Sequence, residues 1–297
     1  MTTISVVIPA YNAQSFLSRA IESALSQSLR PAEILVIDDG SSDQTFEAAS
    51  AFGDRVKAFR KTNGGPASAR NFGIQQAKGA WIALLDADDA WVPRKLEEQV
   101  KLIGSGVGLI HANAVGRPRP LLPEITFAQL WRRNCISTSS VLLRRETFLE
   151  TGGFDEDGEL VGVEDYNLWL RIAAAGWKMR GLSEELFIYA PTPASLSRQV
   201  LRFAKAELTN ARRIARLLNL SAAELREKEL SILDDYGLDL FYIRDLPNAR
   251  NYFGEGLRRK INLERTLMWA ATFLPRRFLD LRRSRAGFVT EQRDGHI

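Results

Sequence analysis

Strand patterns alternate with helical patterns along the first ninety residues, and this alternation constrains the fold more than any other feature. The runs "ISVVI", "EILVI", "VKAFR" and "AWIALL" predict four strands, and residues 34–37 have the composition of a buried strand. Apolar residues at helical spacing separate the first two runs, and Pro66 follows a Gly-Gly pair where a later helix is expected to begin. Strands joined by helices predict an α/β fold with a doubly wound, mostly parallel sheet flanked by helices.

Unusual polar side chains follow each of these four strands. In chain order they are Tyr11 and Asn12, then Asp38 and Asp39, then Asn63, and finally Asp86, Asp88 and Asp89 of "LLDADDAW". In doubly wound sheets, ligands bind beyond the carboxyl ends of the strands. The four strand ends therefore predict one site at one rim of the sheet.

The "DADD" cluster places three carboxylates within four positions, where they repel one another unless water or a cation relieves them. An isolated cluster of this kind is more often a solvated turn. Beside three other polar strand ends, a phosphate site is the better interpretation. Carboxylates approach a phosphate only with a hard cation such as Mg²⁺ or Mn²⁺ between them, so a divalent metal is expected here.

Composition and missing motifs argue against several other classes of protein. One cysteine and two histidines leave no disulfide framework and no zinc cluster, which favours a reducing compartment. The sequence shows no signal peptide and no apolar run long enough to span a membrane, so a cytoplasmic protein is expected. No glycine-rich dinucleotide fingerprint or phosphate-loop lysine motif is present, so dehydrogenase and phosphate-loop NTPase functions lack support.

Four ordered elements resemble the family 2 nucleotide-sugar glycosyltransferases with the GT-A fold. They are "VVIPAYNA", "VIDDGSSDQT", "NGGPASARNFGIQQAKGAWIALLDADD" and the pair "GGFDE" and "GVEDYNLWLR", which together cover residues 4 to about 190. Members of this family are inverting enzymes, and the processive ones carry a Gln-x-x-Arg-Trp element and membrane helices. Neither follows "LWLRIAAAGW" here, so the resemblance implies a non-processive member that adds one sugar per acceptor.

The resemblance also implies roles for individual residues at the nucleotide. Asp86 and Asp88 match the Asp-x-Asp element that binds a divalent cation and the donor diphosphate, with Asp89 beside them. Asp39 would accept the imide N–H of the base while Tyr11 packs on its ring. The other implied nucleotide-binding residues are Pro9, Asn63 and Arg70. A simple surface role for Arg70 and a turn role for Asp38 stay open.

The catalytic base implied by the resemblance is Asp165 in "VEDYNLWLR", with Glu164 as its neighbour. An acceptor hydroxyl needs a carboxylate within hydrogen-bond reach to attack the anomeric carbon. Acidic residues are also favoured in the first turn of a helix by its dipole, and both interpretations can hold together.

The expected function is therefore metal-dependent, inverting transfer of a sugar, with a UDP-sugar the favoured donor, to a hydroxyl of a glycan or lipid-linked saccharide. The expected domains are a catalytic domain, 1–195, with a nucleotide-binding half (1–115) and an acceptor half (116–195), followed by a helical extension, 196–297. Two alternatives remain. One is a degenerate, nucleotide-binding scaffold of a polysaccharide synthesis complex, and the other is a sugar nucleotidyltransferase, although "PAYNAQS" lacks the glycine-rich basic loop of that class.

Basic residues concentrate in the last hundred residues. Residues 258–285 contain nine basic and two acidic residues, interleaved with Trp269 and Phe273. This tract predicts either a peripheral contact with an anionic inner-membrane surface or a helical cap whose arginines are solvated. Nucleic acid is a weaker third choice because no recognition motif accompanies the charge, and none is expected as a partner.

Overall fold

The predicted strand runs form one eight-stranded sheet in the computed structural model of the protein, which describes residues 2–118, 121–190, 199–275 and 278–280. The strands are β1 (Ile4–Ala10), β2 (Glu33–Asp38), β3 (Lys57–Arg60), β4 (Trp81–Leu84), β5 (Ala90–Trp91), β6 (Val107–Ala114), β7 (Leu142–Arg144) and β8 (Lys178–Ile188). Their order across the sheet is β3-β2-β1-β4-β7-β6-β8-β5. The chain divides into two compact units, Met1–Ser195 and Leu196–Ile297, and the sheet belongs to the first.

The sheet is mostly parallel, as predicted. Strands β3, β2, β1 and β4 pair in parallel, and β6 pairs in parallel with β8. Two strands run against the rest: β7 is antiparallel to β4 and β6, and β5 is antiparallel to β8. The carboxyl ends of β1, β2, β3 and β4 therefore point to the same rim, where the sequence predicts the site.

Helices cover both faces of this sheet. Within the N-terminal unit they are α1 (Leu17–Leu25), α2 (Thr45–Ser50), α3 (Gly65–Gln76), α4 (Lys95–Val100), α5 (Phe127–Arg132), α6 (Arg145–Glu150) and α7 (Glu164–Ala174). Val6 and Val36 share a core with α1 on one face, while Val7 and Ile37 face α3 on the other. A Cβ at Gly73 of α3 would lie 2.5 Å from Val7 Cγ1, so glycine permits the close approach of α3 to the sheet. The doubly wound architecture follows from this two-sided burial.

The C-terminal unit is helical, as the sequence predicts. It contains α8 (Val200–Leu217), α9 (Ala222–Tyr242), α10 (Leu246–Arg259) and α11 (Leu263–Ala271). A buried polar cluster joins α8 to α9, because Glu207 accepts hydrogen bonds from Lys228 Nζ at 2.8 Å and from the Tyr236 hydroxyl at 2.9 Å. Of the basic tract 258–285, residues 276, 277 and 281–285 lie outside the described residues. No helix in the described ranges has the length and apolar character needed to cross a bilayer.

Candidate active site at the rim of the sheet

The "DADD" loop leaves the carboxyl end of β4 and turns directly into β5. The Asp86 N–H donates to Ser139 Oγ at 3.1 Å, and the Asp89 N–H donates to the Asp86 carbonyl at 3.1 Å, which closes the turn. Asp86 and Asp88 are partly exposed, whereas Asp89 is buried and accepts the Ala190 N–H at 3.0 Å. Burial, followed by the negative charge of Asp86, raises the pKa of Asp89 to about 7. The loop therefore presents two carboxylates to solvent above a third that does not ionise easily.

Arg70 joins this loop to a distant part of the chain. It lies in α3, its side chain is buried, and its Nη2 donates to Asp86 Oδ1 at 2.8 Å while its Nη1 donates to Glu164 Oε1 at 2.7 Å. The guanidinium also lies over the Phe154 ring, 5.5 Å from its centroid. Burial lowers the pKa of Arg70, but the negative charges of Asp86 and Glu164 together raise it by more than burial lowers it. The net pKa lies above the ordinary value for arginine, so the guanidinium stays protonated.

The first turn of α7 brings Glu164 and Asp165 to the same place. Glu164 Oε2 accepts the Gly162 N–H at 2.6 Å, and Asp165 Oδ2 accepts the Thr138 hydroxyl at 2.8 Å. Burial and the neighbouring charge of Glu164 raise the pKa of Asp165, while Arg70 and the Thr138 hydrogen bond oppose the rise. A carboxylate whose pKa is raised toward neutrality is a stronger proton acceptor once ionised, which is what general-base chemistry requires.

The carboxyl end of β2 carries a second group of acids. Asp38 Oδ2 accepts from Arg60 Nε at 2.6 Å. Asp39 is buried and accepts from Lys61 Nζ at 2.7 Å and from the Gly65 N–H at 2.7 Å, at the start of α3. The carboxylate of Asp39 therefore lies at a helix N-terminus, where negative charge is stabilised.

Comparison with known proteins now decides the family. The sequence model described as Glycosyl transferase family 2 matches residues 5–132, and one described as Glycosyltransferase like family 2 matches residues 124–216. The UDP-Glc:alpha-D-GlcNAc-diphosphoundecaprenol beta-1,3-glucosyltransferase WfaP of Escherichia coli is 33% identical over 190 residues, which cover 61% of this chain and 74% of WfaP. The chain belongs to glycosyltransferase family 2.

Other relatives of this family 2 chain differ in length. An uncharacterized glycosyltransferase of Rickettsia felis is 34% identical over 189 residues, which cover 57% of this chain but 31% of the relative. The chain thus spans about a third of that protein.

Solved structures agree on the fold. The structure of Staphylococcus aureus TarS 1-349 in complex with UDP-GlcNAc has a TM-score of 0.64 at 18% identity and covers 86% of this chain and 81% of that one. The mannosyltransferase PcManGT of Pyrobaculum calidifontis, in complex with GDP-Man and Mn²⁺, has a TM-score of 0.65 at 19% identity and covers 97% and 81%. The predicted GT-A fold is confirmed by these likenesses.

Hydrogen bonds place some of the predicted site residues of this family 2 chain in two separate groups. Direct hydrogen bonds bring Asp86, Arg70 and Glu164 together, with Asp165 next to Glu164. Asp39 instead contacts the start of α3. Three predicted nucleotide-binding residues lie outside both sets of hydrogen bonds: Tyr11 is 55% exposed after β1, Asn63 is exposed before α3, and Pro9 pairs with Ile37 within the sheet. Their nucleotide-binding roles stay predictions.

Sequence reasoning missed the short 3₁₀ helix Thr138–Ser140, which links Asp165 to the loop that carries Asp86. Thr138 donates to Asp165, and the adjacent Ser139 accepts the Asp86 N–H. Trp91 Nε1 donates to the Ser139 carbonyl at 2.8 Å and supports the turn from behind. The signal was the run of hydroxyl side chains in "STSS" directly before a buried strand, which sequence alone does not connect to either carboxylate.

The exposed carboxylates fit a divalent cation that is shared with a phosphate ligand. No group of three or more His, Cys, Asp or Glu side chains within the described ranges converges on a common metal position. Mg²⁺ and similar ions at phosphate sites take only one or two protein carboxylates and complete their coordination with phosphate oxygens and water. Asp86 and Asp88 supply donors of that kind, and a cation beside them would relieve the charge repulsion that raises the pKa of Asp89.

Proposed function

We propose that the chain is a metal-dependent, inverting glycosyltransferase that moves a sugar from a nucleoside-diphosphate sugar, with a UDP-sugar as the favoured donor, to a hydroxyl of a glycan or lipid-linked saccharide. The observation that carries the proposal is the bridge made by Arg70 between Asp86 and Glu164. It brings the loop that would hold the donor diphosphate next to the helix that carries the candidate base. The names of WfaP and WfgD of Escherichia coli, both UDP-Glc:alpha-D-GlcNAc-diphosphoundecaprenol beta-1,3-glucosyltransferases, support the donor and acceptor classes.

In this proposal Asp165 accepts the proton of the acceptor hydroxyl. The acceptor oxygen forms a bond to the anomeric carbon, the bond from that carbon to the diphosphate breaks, and the nucleoside diphosphate leaves with the electron pair. A single displacement from the side opposite the leaving group inverts the anomeric configuration. Thr138 holds the Asp165 carboxylate in one orientation for this step, through its hydrogen bond to Oδ2.

Donor binding falls to residues at the carboxyl ends of the strands. Asp39 would accept the base N–H, Tyr11 would stack on the ring, and Asp86 and Asp88 would hold Mn²⁺ or Mg²⁺. A bound divalent cation supplies positive charge against the departing diphosphate. Asp39 now accepts hydrogen bonds from Lys61 Nζ and the Gly65 N–H, so binding of a base requires this carboxylate to share its lone pairs or exchange partners.

The first test is calorimetric binding of UDP, GDP and ADP to the purified protein, each with Mn²⁺, Mg²⁺ or EDTA. Metal-dependent binding that is strongest for UDP is expected. Absence of binding to every nucleotide would refute the proposed donor site.

The second test is sugar transfer from UDP-glucose to GlcNAc-diphosphoundecaprenol, with the anomeric configuration of the product read by NMR. The Asp165→Asn variant is expected to lose transfer by about 10²- to 10⁴-fold while retaining nucleotide affinity. The matched control is Asp54→Asn, an exposed acid in a 3₁₀ helix of the same unit. Retained turnover in Asp165→Asn would remove Asp165 as the base, and nucleotide binding without transfer to any acceptor would favour the scaffold alternative.

A further inference from the structure

Helix α11 buries an arginine and exposes leucines. Arg265 and Thr272 point into the C-terminal unit and are buried, together with the half-buried Trp269. On the opposite side, Leu263 is 75% exposed and Leu267 is 60% exposed. A surface helix of a globular protein normally places its apolar stripe toward the core and its charges toward water.

Hydrogen bonds fix α11 in this orientation. Arg265 Nε and Nη2 donate to the two carboxylate oxygens of Asp234 in α9, both at 2.6 Å, and Arg265 Nη1 donates to the carbonyl of Lys260. Such two-point guanidinium–carboxylate pairs are strong and geometrically specific. Rotation of α11 to bury Leu263 and Leu267 would break this pair and expose Trp269 instead, so the leucines remain outside.

The exposed leucines belong to a continuous surface. Leu263, Leu267 and Ala270 lie on successive turns of one helix face, since residues three and four apart are neighbours. Ile261, 85% exposed, precedes them, and the exposed Leu274 follows. We name these five residues the α11 apolar face. Single exposed apolar residues are ordinary, but a contiguous group of them marks an interaction surface.

The charge around this face identifies its partner. The tract 258–285 has nine basic and two acidic residues in sequence, and the basic residues among them that the structure describes are Arg258, Arg259, Lys260 and Arg265. Within the tract, Arg259 pairs with Glu229 and Glu255, and Arg265 pairs with Asp234. The exposed Lys260 and Arg258 lie directly before the apolar face in the sequence, and Arg258 also forms an exposed surface pair with Glu255. An apolar face flanked by exposed basic residues fits the interface of a bilayer that contains anionic lipid.

We propose that the α11 apolar face docks in the plane of a membrane surface, with Leu263 and Leu267 among the acyl chains and the flanking basic residues at anionic headgroups. The hydrophobic contact provides most of the binding, because internal ion pairs already engage Arg259 and Arg265. The inference rests on the C-terminal unit alone and stands or falls independently of the proposed transfer reaction.

The experiment is co-sedimentation of the full chain with vesicles of phosphatidylcholine and with vesicles of phosphatidylcholine plus phosphatidylglycerol. Wild type is expected to sediment with both compositions, and more strongly with the second. Leu263→Gln and Leu267→Gln are each expected to lower the partition coefficient by about tenfold, because each removes one leucine side chain from the acyl region. Glutamine is chosen because it removes apolar area without adding a negative charge.

Leu217→Gln is the matched control, because Leu217 at the end of α8 is 60% exposed, the same fraction as Leu267. It is expected to sediment like wild type. The proposal is overturned if the Leu263 and Leu267 variants sediment as wild type does, if wild type sediments with neither composition, or if it sediments equally with both. Self-association in analytical ultracentrifugation that is lost on Leu267→Gln, without vesicle binding, would instead assign the face to a second copy.

Discussion

Replacement of Arg70 by methionine tests whether the Arg70 bridge holds the candidate site together. Methionine keeps much of the aliphatic volume of arginine but leaves the Glu164 carboxylate buried beside Asp165 without a cation. Removal of one partner of a buried ion pair costs about 3–5 kcal/mol. The lower end applies here, because Glu164 retains the Gly162 N–H bond and the Asp86 side chain is 31% exposed and partly screened by water. We therefore expect Arg70→Met to lower the free energy of unfolding of the N-terminal unit by about 3 kcal/mol.

Urea unfolding followed by tryptophan fluorescence measures this loss in the correct unit, since five of the six tryptophans lie in residues 1–195. The design is a cycle of Arg70→Met, Glu164→Gln and the double variant. If the pair is coupled as the structure indicates, the double variant is more stable than the sum of the single losses predicts, by about 1–3 kcal/mol. Arg30→Met, at an exposed position, is the control and should change stability by less than about 0.5 kcal/mol. A loss below about 1 kcal/mol for Arg70→Met, or strict additivity in the cycle, would refute the bridge as a stabilising element.

Three further substitutions test the site and the core. Asp88→Ala should weaken UDP binding in Mn²⁺ but not in EDTA, and a variant that binds UDP in Mn²⁺ as tightly as wild type does, measured by calorimetry, would argue against the metal assignment. Thr138→Val removes a hydrogen bond that lowers the pKa of Asp165, so the acid limb of the pH profile of kcat should move to higher pH. Thr138→Ser keeps the hydroxyl and should restore the wild-type profile, whereas identical profiles for Thr138→Val and wild type would contradict this. Burial lowers the pKa of His111 from 6.5 to about 4, so between these pH values the unfolded chain binds a proton that the folded chain does not. The free energy of unfolding should therefore fall by up to about 3 kcal/mol as pH drops through this window, and His111→Leu should flatten the urea-unfolding profile there.

Local sequence was sufficient to predict the parallel half of the sheet. β1, β2 and β4 are apolar runs that end at turn signals, β3 is a short strand with charged ends, and the helices between these strands impose parallel pairing. The placement of β7 between β4 and β6 was not predictable in this way, because it depends on pairing between residues about sixty positions apart. β5 is two residues long and follows the "DADD" loop directly, so its apolar residues carry no periodicity that marks a strand.

The expectation that ligands bind beyond the carboxyl ends of parallel strands located the candidate site but could not assign contacts within it. It placed Asp86 at the rim correctly, and the helix pattern placed Glu164 in a first turn. The link between them is Arg70, 94 positions before Glu164, and in sequence Arg70 is one of many arginines that solvent could satisfy. Only the folded chain shows that one buried guanidinium donates to both carboxylates.

Sequence also does not show which residues of the basic tract are available to a partner. A count of charges treats its nine basic residues as equivalent, and it therefore attributes any membrane affinity to electrostatics. The folded chain separates them, because Arg259 and Arg265 are used in ion pairs within the C-terminal unit while Leu263 and Leu267 face outward. Burial of an arginine is favourable only with a partner such as Asp234, and that partner is what turns the leucines to the surface. Salt should therefore weaken vesicle binding less than the charge of the tract suggests, because the apolar contact is insensitive to ionic screening.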